Sequence, residues 1–287
     1  MMPQLSRQVK IVTDSAADIP PQLARDLDIT IIPLLVHMGG RTYKDGVDLS
    51  GEEFYHELQG ARGVTTTSLP PLHPFEEAYR SLTRDGYEVV SIHLSSKLSG
   101  TFNAALMAST GDGVEAEAIS VVDSRNISMS QGWVAIRCAE AAKAGKSREE
   151  IEELAESLVS KSFIFGVLDT LEYVIRSGRV GKIPGVVGNM LSIKPLLTVK
   201  PNGEAIILER VRTDKRALDR IIKLAGEKGE LEAVAVLHGA NEEGAARLLQ
   251  MVRDSLNPPE PVVVGHIGAV LGTHLGPGAV GVCFLTK

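Results

Sequence analysis

The sequence predicts two α/β domains, the first built on a parallel sheet and the second on a mixed one. Three observations carry this. A unit of strand, polar loop and helix recurs in the first half: residues 9–13 lead through Asp14, Ser15 and Ala16 to a helix ending near Leu27. Residues 89–94 lead through 95–100 to an Ala-rich helix from Thr101, and residues 118–122 lead through Asp123 and Ser124 to a helix through Trp133 and Cys138. The strands in these units are continuously apolar, the pattern of a parallel sheet covered on both faces. In the second half, β-like runs at 196–199 and 205–211 flank Pro201, Asn202 and Gly203, and an Asn-Gly turn between such runs reads as an antiparallel hairpin.

The elements between follow from similar signals. From Ile29 to Val64 the pattern breaks into short apolar runs with Gly39, Gly40 and Gly46, an extended excursion leading to a helix at 54–58. The clearest helix spans 147–161: Ser147 and Glu150 form a capping box, and Ile151, Leu154 and Leu158 share one face, which reads as core. A domain boundary is expected near Ser160, giving domains 1–160 and 161–287. The second opens with a strand at 163–168 and a Gly-rich stretch (Gly178, Gly181, Gly185, Gly188). Helices at 215–224 and 242–256 and strands at 233–237, 261–264 and 280–285 complete it.

Length and composition agree with two domains: 287 residues, 44% hydrophobic, with aromatics only 4%, require a core that is mostly aliphatic. The formal net charge of -6 disfavours binding to a nucleic-acid backbone. The first residues hold no signal-like apolar region and no apolar run approaches a membrane span, so a cytoplasmic protein is expected. Cys138 and Cys283 lie far apart in apolar stretches, where free buried thiols are expected.

Three loops concentrate hydroxyls. Thr65, Thr66, Thr67 and Ser68 precede Leu69, Pro70 and Pro71, which reads as a helix start; residues 95–101 feed a helix directly; Thr13 to Ser15 follow the first strand. Helix starts offer free N–H groups and the positive end of the dipole to an anion, and in open α/β sheets ligands bind beyond the strand C-termini. Capping alone explains any one such loop; the coincidence of three argues for a ligand. Near the C-terminus, Gly276, Gly278 and Gly281 match GxGxxG, but six residues leave no room for a dinucleotide fold. Residues 178–183, GRVGKI, lack the spacing of a phosphate loop. No nucleophile elbow, HExxH or zinc-type Cys/His spacing is present, so no catalytic residue and no metal is expected. His37, His56, His73, His93, His238 and His266 are scattered, and His274 stands apart by its Gly-rich setting.

Taken together, TDSAADIP (13–20), TTSLPP (66–71), LSSKLSGTFNAA (94–105), VVDSRNIS (121–128), RSGRVGK (176–182), GNMLSIKPLL (188–197) and THLGPGAVG (273–281) resemble the DegV family of bacterial fatty-acid-binding proteins along the whole chain. The resemblance implies the EDD fold, two α/β domains with the ligand between them, and one long-chain fatty acid such as palmitate, stearate or oleate in a buried tunnel. It implies a carrier, not an enzyme. The carrier presents the acid to a separate ATP-dependent fatty acid kinase subunit that makes the acyl phosphate used in phospholipid synthesis, with no cofactor of its own and at most transient membrane contact. By position, Thr67 and Ser99 hold the carboxylate, while Ser68, Arg212 and His274 lie near it or serve transfer to the kinase. Leu69 stands where the family commonly has Gln. Physically, hydroxyls and helix N–H groups leave a carboxylate oxygen free, and Arg212 and His274 would supply weak neutralisation. Ile183, Val187 and Leu191 are candidates to line the tail. The alternative is an enzyme acting on a small phosphorylated metabolite at the same helix N-termini; a long dry tunnel favours the lipid and a short polar cavity the metabolite.

Overall fold

A computed structural model describes residues 7–60, 64–179 and 193–287. The chain begins with β1 (Val9–Asp14), α1 (Pro21–Leu27, with Pro at its first position) and β2 (Ile29–Ile32). It continues through β3 (Leu35–Met38), β4 (Arg41–Lys44), α2 (Gly51–Gly60), β5 (Thr66–Ser68) and α3 (His73–Arg84). Next come β6 (Glu88–His93), α4 (Thr101–Ala108), β7 (Ile119–Asp123), α5 (Met129–Lys143) and α6 (Arg148–Val159). Strands β1, β2, β6 and β7 form a parallel sheet in the order β2-β1-β6-β7. Its strands are buried along most of their length, as continuously apolar runs require.

The second domain holds β8 (Ser162–Val167), α7 (Glu172–Ser177), β9 (Lys194–Val199), β10 (Ala205–Val211) and α8 (Asp214–Gly226). It ends with β11 (Leu231–His238), α9 (Glu242–Leu256), β12 (Val263–His266), α10 (Ala269–Leu275) and β13 (Val280–Thr286). The sheet order is β10-β9-β8-β13-β11-β12; among the described residues only β11 and β12 pair in parallel, so this sheet is mixed. The hairpin expected around Asn202 is β9–β10, with Gly203 at φ +88°. The capping box of α6 is present, Ser147 receiving Glu150 N–H and Glu150 receiving Ser147 N–H.

The excursion between Ile29 and Val64 is extended and leads into α2 as expected, and its strands divide between two sheets. Its first run, β2, is an edge strand of the parallel sheet, and β3 anchors a separate three-stranded sheet in the order β4-β3-β5. The Thr-rich loop is no helix start. Thr66–Ser68 pairs with β3, and two consecutive prolines hold the backbone extended, so α3 begins only at His73 with Pro74 in its first turn.

Helix α5 joins the two domains. It packs on β1 and β6 on one side and on β8 and β13 on the other, and its residues from Met129 to Ile136 are all buried, the condition of a helix with core all round. Gly132 permits the approach, because a Cβ there would stand 2.8 Å from the Ala17 carbonyl oxygen. One apolar cluster therefore runs from Ile11, Ile92 and Trp133 to Leu197, Leu237 and Cys283.

Candidate functional site

A cavity of about 370 Å³ lies between the domains, a size typical of small-molecule sites, roughly 300–1,000 Å³. Its walls are aliphatic: Leu34, Leu94 and Ile127 from the first domain face Leu168, Leu197, Leu237, Ile267, Leu271 and Val280 from the second. Polar groups enter through Thr67, Ser68, Ser99, Ser128, Ser177, Arg179, Thr198 and His274.

Each of these is placed by its local fold. Thr67 is held by the β3–β5 ladder, opposite Val36. Ser68 is fixed by His37, whose Nε2 is 2.9 Å from its hydroxyl and whose Nδ1 is 2.9 Å from Thr42 Oγ1. Ser99 lies in the last turn before α4, its Oγ accepting from Thr101 N–H at 3.3 Å and lying 2.8 Å from Thr101 Oγ1. His274 sits in the last turn of α10, which stops at Gly276 (φ +77°). A Cβ at Gly276 would run into the Tyr173 ring, so that glycine sets both the end of the helix and its seating on α7.

The sharpest contact in the site is Thr67 Oγ1 to His274 Nε2, 2.8 Å, between residues 207 positions apart. Burial, followed by the positive charge of Arg179, pushes His274 down to about 4, so the imidazole is neutral at pH 7. His274 therefore enters the cavity wall as a neutral hydrogen-bonding group. Among the described residues its buried Nδ1 has no hydrogen-bond partner. The N-terminus of α10 is held by two buried carboxylates: Gly268 N–H donates to Asp18 Oδ1 at 2.9 Å and Ala269 N–H to Asp45 Oδ1 at 3.0 Å, while Ser128 donates to Asp18 Oδ2 at 2.6 Å. Burial raises Asp18 to about 7 and Asp45 to about 6, against the hydrogen bonds that favour their anions.

The structure thus brings Thr67, Ser68, Ser99 and His274 to one cavity. Arg212 it does not: the residue is exposed between β10 and α8 and is not among the described lining residues. Among the described residues the cation in the lining is Arg179, which also donates to Ser177 O at 2.8 Å. It lies inside the RSGRVGK run, which carried the signal although no role was drawn from it. Of the two expected helix N-termini only that of α4 is present. The third hydroxyl loop faces inward. Thr13 Oγ1 donates to Ile92 O, Asp14 accepts from His93 Nδ1, Leu94 N–H and Gln131 Nε2, and Ser15 accepts from Leu34 N–H. Ile183, Val187 and Leu191 lie outside the described residues. Cys138 and Cys283 are free and buried, and burial pushes both thiols up to about 12, so neither is a nucleophile. Among the described residues no helix is long and apolar enough to cross a membrane.

Fold and cavity define a class of protein: a parallel and a mixed α/β domain that share a core and close on an apolar cavity with hydroxyls and one imidazole in its wall. The chain belongs to the DegV family, whose model, described as "Uncharacterised protein, DegV family", matches residues 8–287. It is 35% identical to Protein DegV of Bacillus subtilis over 285 residues, 97% of this chain and 99% of that one. Among solved structures it is similar to DegV, a fatty acid binding protein from Bacillus subtilis (34% identity, TM-score 0.87, 98% of this chain and 100% of the other). It is also similar to a stearic acid-binding protein from Eubacterium ventriosum (26% identity, TM-score 0.87, 97% and 98%).

Proposed function

We propose that this protein binds one long-chain fatty acid, its acyl chain in the interdomain cavity and its carboxylate at Thr67 and Ser99, and presents it to a separate fatty acid kinase subunit. The observation that carries the reading is the composition of the cavity, aliphatic over most of its wall with Thr67, Ser99 and His274 among its few polar groups. Burying an acyl chain contributes about 0.8 kcal/mol per CH₂, so a long chain binds tightly with few polar contacts. The names of the similar structures point the same way.

The headgroup chemistry follows from neutral His274. With the ring proton on Nε2, His274 donates to Thr67 Oγ1 across the 2.8 Å contact and leaves the hydroxyl proton to donate to a carboxylate. Ser99 offers a second hydroxyl at the start of α4, whose dipole favours the anion. Arg179 supplies the positive charge. Neutral donors leave one carboxylate oxygen open to phosphoryl transfer, whereas a bidentate guanidinium would occupy both. Exposed Arg212 then serves the kinase and not the lipid, and the protein itself carries no catalytic group.

The apolar lining disfavours a phosphorylated metabolite, whose charge would need a polar cavity. Native mass spectrometry of protein purified from cells, followed by lipid titration, decides between them. A fatty acid should co-purify in a 1:1 complex; protein that is always empty and takes up no fatty acid would rule the carrier out.

A further inference from the structure

Among the described residues, strands β11 and β12 are the only parallel pair in the second sheet, and both end in histidine at the same level: His238 is the register partner of His266. A parallel ladder sends register partners to the same face, and the two imidazole rings lie with centroids 4.5 Å apart at 57°. Helix α9 starts four residues after His238, which brings Glu242 of its first turn to the same strand ends. One ligand atom from each of His238, Glu242 and His266 lies within 4.8 Å of the others, and this is the one such cluster of three among the described residues.

We propose that His238, Glu242 and His266 form a binding site for a transition-metal cation of the zinc class. Two imidazole nitrogens and one carboxylate oxygen are the donor set such ions take with three protein ligands and a fourth position left to water, whereas calcium and magnesium take oxygen ligands. His266 Nδ1 is buried with no hydrogen-bond partner. A buried unsatisfied polar atom is costly, and a cation that accepts its lone pair removes that cost. Among the described residues the one hydrogen bond to the His238 ring is long, from Asn241 N–H to Nδ1 at 3.3 Å, so it competes weakly with coordination. Glu242 is exposed, with three free side-chain torsions, and can draw in to the bond length of about 2.1 Å. The histidines come from two strands that the ladder already holds in register, and the Ile267 N–H to His238 O bond of 2.8 Å continues that ladder past the site.

The cluster is separate from the lipid cavity, and none of its three residues lines it. Their chain neighbours Leu237 and Ile267 do. A bound ion would tie together two strand ends whose next residues form the cavity wall.

The test uses untagged, chelator-treated protein titrated with Zn²⁺ by calorimetry and with Co²⁺ by absorption, with bound fatty acid measured in parallel. One equivalent of Zn²⁺ and a cobalt spectrum of low coordination number are expected. Loss of outer partners at metal sites costs about 10- to 100-fold in affinity, so His266→Gln, which removes a ligand, should exceed about 100-fold. Exposed Glu242→Gln, which carries no folding risk, should weaken Zn²⁺ at least tenfold and leave lipid content unchanged. No stoichiometric uptake by the wild type overturns the proposal. So does wild-type affinity in both variants, or a loss of affinity confined to His73→Ala, whose imidazole faces Glu77 on α3. Absence of lipid with intact metal binding would count against the carrier reading alone.

Discussion

Two polar regions sit at the heart of the molecule, and they differ in how completely they are satisfied. At the C-terminal ends of β1 and β6, Asp14 accepts hydrogen bonds from Ala16 N–H, Leu94 N–H, His93 Nδ1 and Gln131 Nε2, and His93 Nε2 lies 2.7 Å from Ser91 Oγ, which in turn receives Tyr79 O–H. Asp14 and His93 have no solvent exposure at all. At the cavity, His274 has one bond through Nε2 and none at Nδ1. Both regions lie where an open α/β architecture places ligands. A network whose donors and acceptors are mostly spent on one another, with Gln131 Oε1 its one buried atom left over among the described residues, holds the fold; one that keeps groups in reserve next to an apolar void can receive a ligand.

The largest expected effect breaks the sealed network. His93→Ala strips Asp14 of its imidazole in a dry interior, and loss of one partner of a buried pair costs about 3–5 kcal/mol; urea unfolding should show it, and a loss below about 1 kcal/mol would mean that the network is not what holds the sheet. Next come Thr67→Ala and Ser99→Ala. Ser99→Ala should leave the unfolding midpoint nearly unchanged, Thr67→Ala should lower it because His274 Nε2 loses its partner, and each should weaken fatty acid binding by about 1–3 kcal/mol, the cost of a lost bond to a buried charge; unchanged lipid affinity in both would remove them from the headgroup site.

A smaller effect is read in pH. His274 is held down to about 4 from 6.5, so its contribution to stability is present above pH 6.5 and is lost as pH falls through about 4. Asp18 is raised from 3.8 to about 7, so its contribution is fully present below pH 3.8 and is lost as pH rises through about 7. Between pH 7 and 4 the two oppose each other along one helix, α10. Asp18→Asn should therefore lose stability more steeply than the wild type on acidification over this window, measured by urea unfolding at each pH; parallel curves would show that the carboxylate does not titrate there. The smallest effect is that of Arg212→Ala, which should leave both stability and lipid affinity untouched and slow only acyl phosphate formation with the kinase. Weakened lipid binding would return Arg212 to the cavity.

How far the sequence reached can be traced residue by residue. Helix α6 was legible because Ser147 and Glu150 cap it locally, and β9–β10 because Asn202 and Gly203 prescribe their own turn. Where the deciding partner is distant, the reading fails. Thr66–Ser68 carries the residues of a helix cap, and only pairing with β3, thirty residues earlier, makes it a strand. Thr67 and Ser99 were singled out through their motifs and line the cavity, but the hydrogen bond joining Thr67 to His274 belongs to no local pattern. His238 and His266 looked scattered because 27 intervening residues hide a ladder that sets them side by side.

Helix α5 has one more consequence. Trp133 passes its indole N–H to Cys283 O at 3.3 Å, so a helix encoded in the first domain is pinned to the last strand of the second. Swinging the halves apart like a clamshell would tear open the apolar cluster that contains them both, at a cost proportional to the area exposed. The apolar cluster thus acts as a clasp that holds the two halves closed around the cavity they share.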